Sequence, residues 1–174
     1  MKKYLKYLVI LLIILSPLNN INAENPYFID FKYILNESAA GKKAQDSLKS
    51  KLNNGLKNLK EKEKKIQDEE KKIIQQKKLI SPEDYKKKVD DLRKKVSSLQ
   101  KERNELLENI SKQRTKARNE LLKNLNPILS GYMKENQIRV ILDKKSILLA
   151  DENLDITEEI ISILNKKLKS ININ

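Results

Sequence analysis

The chain has 174 residues, enough for one domain, and a net charge of +13 from 37 Lys and Arg against 24 Asp and Glu. It has no Cys, no His and no Trp, which excludes zinc and iron–sulfur sites made from Cys and His, and Cys-His or Ser-His catalytic pairs. Its three glycines, Gly41, Gly55 and Gly131, are isolated, so no Gly-rich phosphate loop is present. Carboxylate pairs such as Asp90-Asp91 sit among lysines, as on a solvated helix face; no enzyme and no cofactor is expected.

The chain opens "MKKYLKYLVILLIILSPLNNINA". Lys2, Lys3 and Lys6 precede an apolar run from Leu8 to Leu15, then Ser16-Pro17 and a polar stretch ending at Ala23. This is the pattern of a secretory signal peptide over residues 1–23, cut after Ala23. An uncleaved anchor is the alternative, but the run is short for about 30 Å of hydrocarbon. After Ala23 the charge is uneven. Residues 41–125 carry 26 Lys and Arg against 14 Asp and Glu, and the remainder carries 8 against 10.

Pro26 and the aromatic run Tyr27 to Phe31 predict a strand. From about Asn36 a helical pattern begins. Leu52, Leu59, Ile66, Ile73 and Ile80 recur every seven residues among charged neighbours, as on an exposed helix.

Ser81-Pro82-Glu83-Asp84 then carries the marks of a helix start: a capping serine, a proline at the first position and two acids in the first turn. The following helix alternates threes and fours through Tyr85, Val89, Leu92, Val96, Leu99, Arg103, Leu106, Ile110, Gln113 and Ala117, which is coiled-coil spacing. If the chain turns near Ser81, Ile73 meets Val89, Ile66 meets Val96 and Leu52 meets Ile110. Residues 41–126 therefore read as an antiparallel helical hairpin with its tip near 79–84. Each arm of about 40 residues would reach roughly 60 Å. A continuous rod kinked at Pro82 is the rival.

The second helix is expected to run to about Asn136, with a bend at Pro127. Ile138 to Leu142 and Ser146 to Ala150 predict two strands joined around Lys144-Lys145. Asp155 or Thr157 caps a last helix with Ile160, Ile161, Leu164 and Leu168 on its apolar face. Residues 24–40 and 127–174 thus form a small head of 65 residues. The fold class is α+β: a small β-containing head bearing a long antiparallel coiled-coil hairpin. Three short strands in so small a body are marginal alone, so the heads are expected to join copies of the chain.

This order of export signal, short strand, charged hairpin, "IRVILD", "SILLA" and "DITEEIISIL" resembles the Skp/OmpH family of periplasmic chaperones over essentially the whole chain after Ala23. The last 40 residues carry the most specific likeness: a strand ending in Asp143, a second strand and Asp155-Ile156-Thr157 opening the final helix. The resemblance implies a periplasmic homotrimer shaped like a jellyfish. Its heads would join in a β-sheet core and its arms would hang as tentacles around a cavity. It implies an ATP-independent holdase for unfolded outer-membrane β-barrel proteins. No residue pattern here carries over the lipopolysaccharide site proposed in the family.

Apolar residues off the seam are the candidate grip: Ile74, Leu79 and Ile80 near the tip, Leu107 in the middle and Leu122 near the base. Each could instead thicken the coiled coil. The lysines would attract acidic unfolded chains while their stems cover apolar surface. A transient contact with a membrane surface is left open. Nucleic-acid binding is disfavoured, because Tyr85 is the arms' one aromatic residue and base stacking needs more. A coiled-coil spacer or adaptor of the cell envelope is the alternative function.

Overall fold

Two chain segments far apart in sequence build the head, and polar side chains at Asp30, Ser38 and Ser81 mark where three helices of the head and arm begin. The computed structural model describes residues 26–173. The expected signal peptide lies outside them. Strand β1 (Tyr27–Ile29) is followed at once by helix α1 (Phe31–Glu37). Asp30 makes the switch: its carboxylate accepts from the Tyr33 N–H at 2.8 Å, satisfying a free donor of the first turn. The predicted strand to Phe31 is therefore shorter, and a seven-residue helix stands where the strand's end was expected. Ser38 then ends α1 and caps the long helix α2 (Ala39–Gln76), accepting from the Gly41 N–H at 3.2 Å. Gly41 is required there, since a Cβ would lie 2.1 Å from the Leu35 carbonyl oxygen.

Helix α3 (Pro82–Glu135) begins as the sequence indicates. The Ser81 hydroxyl accepts from the Asp84 N–H at 3.1 Å and donates to its carboxylate at 2.7 Å. Residues 77–81 form the turn. The two long helices lie antiparallel. Lys62 meets Glu102 at 2.5 Å, Glu69 meets Lys95 at 2.6 Å and Gln76 meets Lys88 at 2.7 Å. The chain is thus a hairpin and not a kinked rod. At 1.5 Å per residue, α2 is about 57 Å long. Helix α3 continues through Pro127 and ends at Asn136, where Gln137 takes a left-handed conformation (φ 56°). The Ile138 N–H bonds back to the Met133 carbonyl at 2.9 Å, which closes the helix in the manner of a Schellman cap.

Strand β2 (Ile141–Asp143) pairs in parallel with β1, Tyr27 opposite Ile141 and Ile29 opposite Asp143. It starts later than the predicted strand from Ile138. The predicted strand Ser146–Ala150 is absent. Lys144–Ser146 form a 3-10 turn and residues 147–150 have no regular structure. A strand needs a partner for its backbone, and among the described residues no strand pairs with that segment. Asp155 pairs with Phe28 on the other side of β1, so β2 keeps a free edge.

The last helix, α4 (Thr157–Lys167), covers the head. Its Ile160, Ile161 and Leu164 pack with Ile29, Ile34, Ala40, Ile128 and Ile156, and with Leu121 and Leu125 from the lower part of α3. Asn165 accepts from the Ala39 N–H at 2.7 Å, tying α4 to the start of the hairpin. Among the described residues no helix is long and apolar enough to cross a membrane.

Candidate functional site

The hairpin's two helices bury a seam on one side each and leave the rest to water. Burial is deepest at the base and intermittent outward: Leu48, Leu59, Ile73, Ile110 and Ala117 are buried, while Leu52, Ile66, Leu92 and Leu99 are half-buried. Val96, expected on the seam, is half exposed. Two helices alone cannot enclose every seam position.

The candidate grip residues divide accordingly. Ile74, Leu79 and Leu107 are 59%, 82% and 50% exposed, Leu107 being as open as Val96 of the seam. Ile80 and Leu122 are half-buried. Ile74, Leu79 and Ile80 share the tip. Leu107 lies down α3, and Leu122 a further 22 Å or so toward the base. Leu122 faces the head: it lines a groove of about 550 Å³ with Phe31, Leu125, Leu129, Met133 and Arg139. The five residues are spread along the arm and form no single pocket.

Charge fills the space between them. Acids of the arm are drawn into pairs. Glu69 and Glu102 bridge the helices as above, Glu63 lies 3.6 Å from Arg103, and Glu108 holds Lys112 at 2.6 Å. The Lys112 ammonium keeps the Glu108 carboxyl below its usual range. With 26 cations and 14 anions over residues 41–125, such pairing leaves cations in excess along the arm. These pairs are solvent-exposed and add little to stability. Their effect on the arm is to set the field it presents.

A second apolar surface lies on the head. Leu148 and Leu149 are essentially fully exposed, and Val140 and Leu142 beside the free edge of β2 are partly so. The sequence carried the signal, an apolar run in a head too small to cover it, but the run was read as a strand within the chain. Asp155 holds this loop's far end. Burial opposes its ionisation, but the Thr157 hydroxyl and N–H and the Lys144 ammonium at 3.0 Å outweigh burial and lower its pKa. Among the described residues no group of three or more acids is placed to hold a metal ion.

A model of the family described as "Outer membrane protein (OmpH-like)" matches residues 27–164. No curated protein matches the chain. Among solved structures, an OmpH-like outer membrane chaperone candidate from Caulobacter crescentus CB15 superposes with a TM-score of 0.78 at 19% identity, covering 85% of this chain and 89% of that one. At that identity the likeness speaks for the fold.

Proposed function

The chain belongs to the OmpH-like family, and we propose that it is an ATP-independent holdase, exported to the periplasm, that keeps unfolded outer-membrane β-barrel proteins from aggregating. One observation carries the reading: a two-helix arm of about 57 Å displays Ile74, Leu79 and Leu107 to water and carries more Lys and Arg than Asp and Glu over residues 41–125. A soluble helix with no partner gains nothing from that exposure, whereas a surface that must hold many sequences weakly needs it. Each contact is weak and unspecific in sequence. Several contacts made at once by one captive chain add through effective concentration. The lysines hasten encounter with acidic chains, and no bound nucleotide is needed to let go of contacts this weak.

The family resemblance implies three arms around one cavity. We propose that the heads supply the assembly. The free edge of β2 and the uncovered Val140, Leu142, Leu148 and Leu149 favour this, since an unpaired edge flanked by apolar side chains invites another chain. In a trimer the segment around Leu148 would gain the partner that it lacks in one copy.

The test is to dilute a urea-unfolded β-barrel protein into buffer with and without the chain lacking residues 1–23, and to follow light scattering. The holdase reading predicts suppressed scattering at about one trimer per client. Unchanged scattering would leave the chain as a spacer or adaptor of the envelope.

A further inference from the structure

The segment that follows α4 forms neither helix nor strand. It leaves the helix in an extended conformation at Leu168 (φ −134°, ψ 112°) and runs onto the base of the hairpin. There Ile173 is buried among Ala44 and Leu48 of α2 and Ile110 and Ala117 of α3. Ile171 packs against that cluster and against the head core. Ser170 and Asn172 stay exposed. From Ser170 to Ile173 the two isoleucines turn to the slot and Ser170 and Asn172 to water, which is the period of an extended strand; the alternation starts only there, since Lys169 is exposed.

The two isoleucines fill only part of this slot. Beside Ile171 lies an open cleft of about 720 Å³, lined by Leu35, Leu48, Leu52, Ile110 and Leu121. Cavities of this size hold ligands of several side chains' bulk. The base of the hairpin therefore contains a mainly apolar track, edged by Lys49, Arg114 and Arg118, of which residues 171–173 occupy one part.

We propose that this track is a docking site for an extended segment of an unfolded chain with apolar residues at alternate positions, and that Ile171 and Ile173 fill it until such a segment arrives. The chain's own residues show the chemistry of the occupant, because the track already seats an Ile-Asn-Ile sequence. Alternation of apolar and polar residues is the sequence of a transmembrane β-strand, whose lipid-facing positions recur every second residue. Only that identification of the natural occupant rests on the function proposed above; the track and its internal occupant do not. Because residues 168–173 are tethered, they compete at high effective concentration. A short apolar peptide loses that competition. A segment long enough to fill both slot and cleft makes contacts that the tether cannot match, and it displaces the isoleucines. The base of the arm then selects for length and alternation, whereas the exposed leucines further out accept any apolar group.

Two labelled peptides test this: one of alternating Ile and Asn, long enough to span slot and cleft, and one of the same composition with its Ile in a single block. Binding is read by fluorescence anisotropy against the full chain and against Ile171→Asn/Ile173→Asn, with helix content checked by circular dichroism. The alternating peptide is expected to bind the variant about tenfold tighter, as when an internal occupant closes a site in about nine molecules of ten. The block peptide is expected to bind both proteins more weakly. No binding, equal affinity for the two proteins, or equal affinity of the two peptides overturns the proposal. The chain has no Cys, so a spin label at Ser170→Cys provides a second reading in a protein that keeps both isoleucines. The label is expected to gain mobility when the alternating peptide binds; a label that stays immobile with peptide bound overturns the exchange. Exchange in this assay together with unsuppressed client aggregation would strike the holdase reading and leave the docking track standing.

Discussion

Lys95 on α3 holds both carboxylate oxygens of Glu69 on α2, at 2.7 and 2.6 Å, across 26 residues of chain. Lys62 with Glu102, Lys88 with Gln76 and Lys51 with Gln113 share its register, the two residue numbers adding to 164 in each case. The shared register from base to tip fixes which residues of the two helices face each other. The apolar heptads set the face, while turn and charge pairs set the phase. Ile74, Leu79 and Leu107 lie outside that seam and face water.

Gly41 sets how the arm leaves the head. Gly41→Ala places a methyl 2.1 Å from the Leu35 carbonyl oxygen, which forces α1 and α2 apart. A loss of about 3 kcal/mol in unfolding free energy is expected, at the upper end of overpacking effects. Urea denaturation followed by circular dichroism measures it. A midpoint unchanged from the native chain would show that α1 moves freely against α2.

The head is expected to weaken in acid. The pKa of Asp155 is lowered in the fold, so its contribution is present above the unfolded value and disappears as pH falls through the folded one. Below about pH 4 the native chain should lose thermal stability more steeply than Asp155→Asn, which has no carboxylate to protonate. Parallel melting curves for the two proteins from neutral to acid pH would show that Asp155 has no such part.

Leu148 and Leu149 should decide association. The double substitution Leu148→Ser/Leu149→Ser removes two side chains that a single copy leaves in water, so it should not disturb the fold of one chain. Multi-angle light scattering is expected to give a trimer for the native protein and a folded monomer for the variant. A variant that remains trimeric would move the assembly contact elsewhere.

How much of this was legible in the sequence follows from where each signal lives. The hairpin is local: heptads in Leu52 to Ile80, caps at Ser81 and Asp84 and three-four spacing after Tyr85 act within a turn or two of themselves. The head is not. "YFIDF" reads as a strand by its aromatics, yet Asp30 within it caps a helix, and a capping bond outweighs a weak strand preference. The run Ser146–Ala150 has strand character with no partner inside the chain, and sequence patterning does not say whose edge a strand will join. Of the five candidate grip residues, Ile74, Leu79 and Leu107 stand clear of the seam. Leu122 is half-covered because the head folds back beside it, a contact made by residues nearly a hundred positions away. The slot under Ile171 and Ile173 gave no sign in advance. Its walls are ordinary seam residues, and only the path of the chain after α4 shows that a third segment enters between them.

Capture should be sensitive to salt. Positive charge is concentrated in residues 41–125, and exposed charges are screened beyond about 8 Å at physiological ionic strength. Affinity for an acidic unfolded client is expected to fall severalfold from low to high salt, mainly through a slower association rate. A dissociation constant that does not change with salt would leave the apolar side chains as the whole of the grip.

The most direct measurement compares the native chain with Ile74→Ser/Leu79→Ser/Leu107→Ser for equilibrium affinity toward a urea-unfolded β-barrel protein, read by anisotropy of a labelled client. All three side chains face water, so helix content and oligomeric state should be kept. The account predicts binding weakened about tenfold, equivalent to about 1.4 kcal/mol spread over three partial apolar contacts. Equal affinity of the two proteins for the client would contradict it.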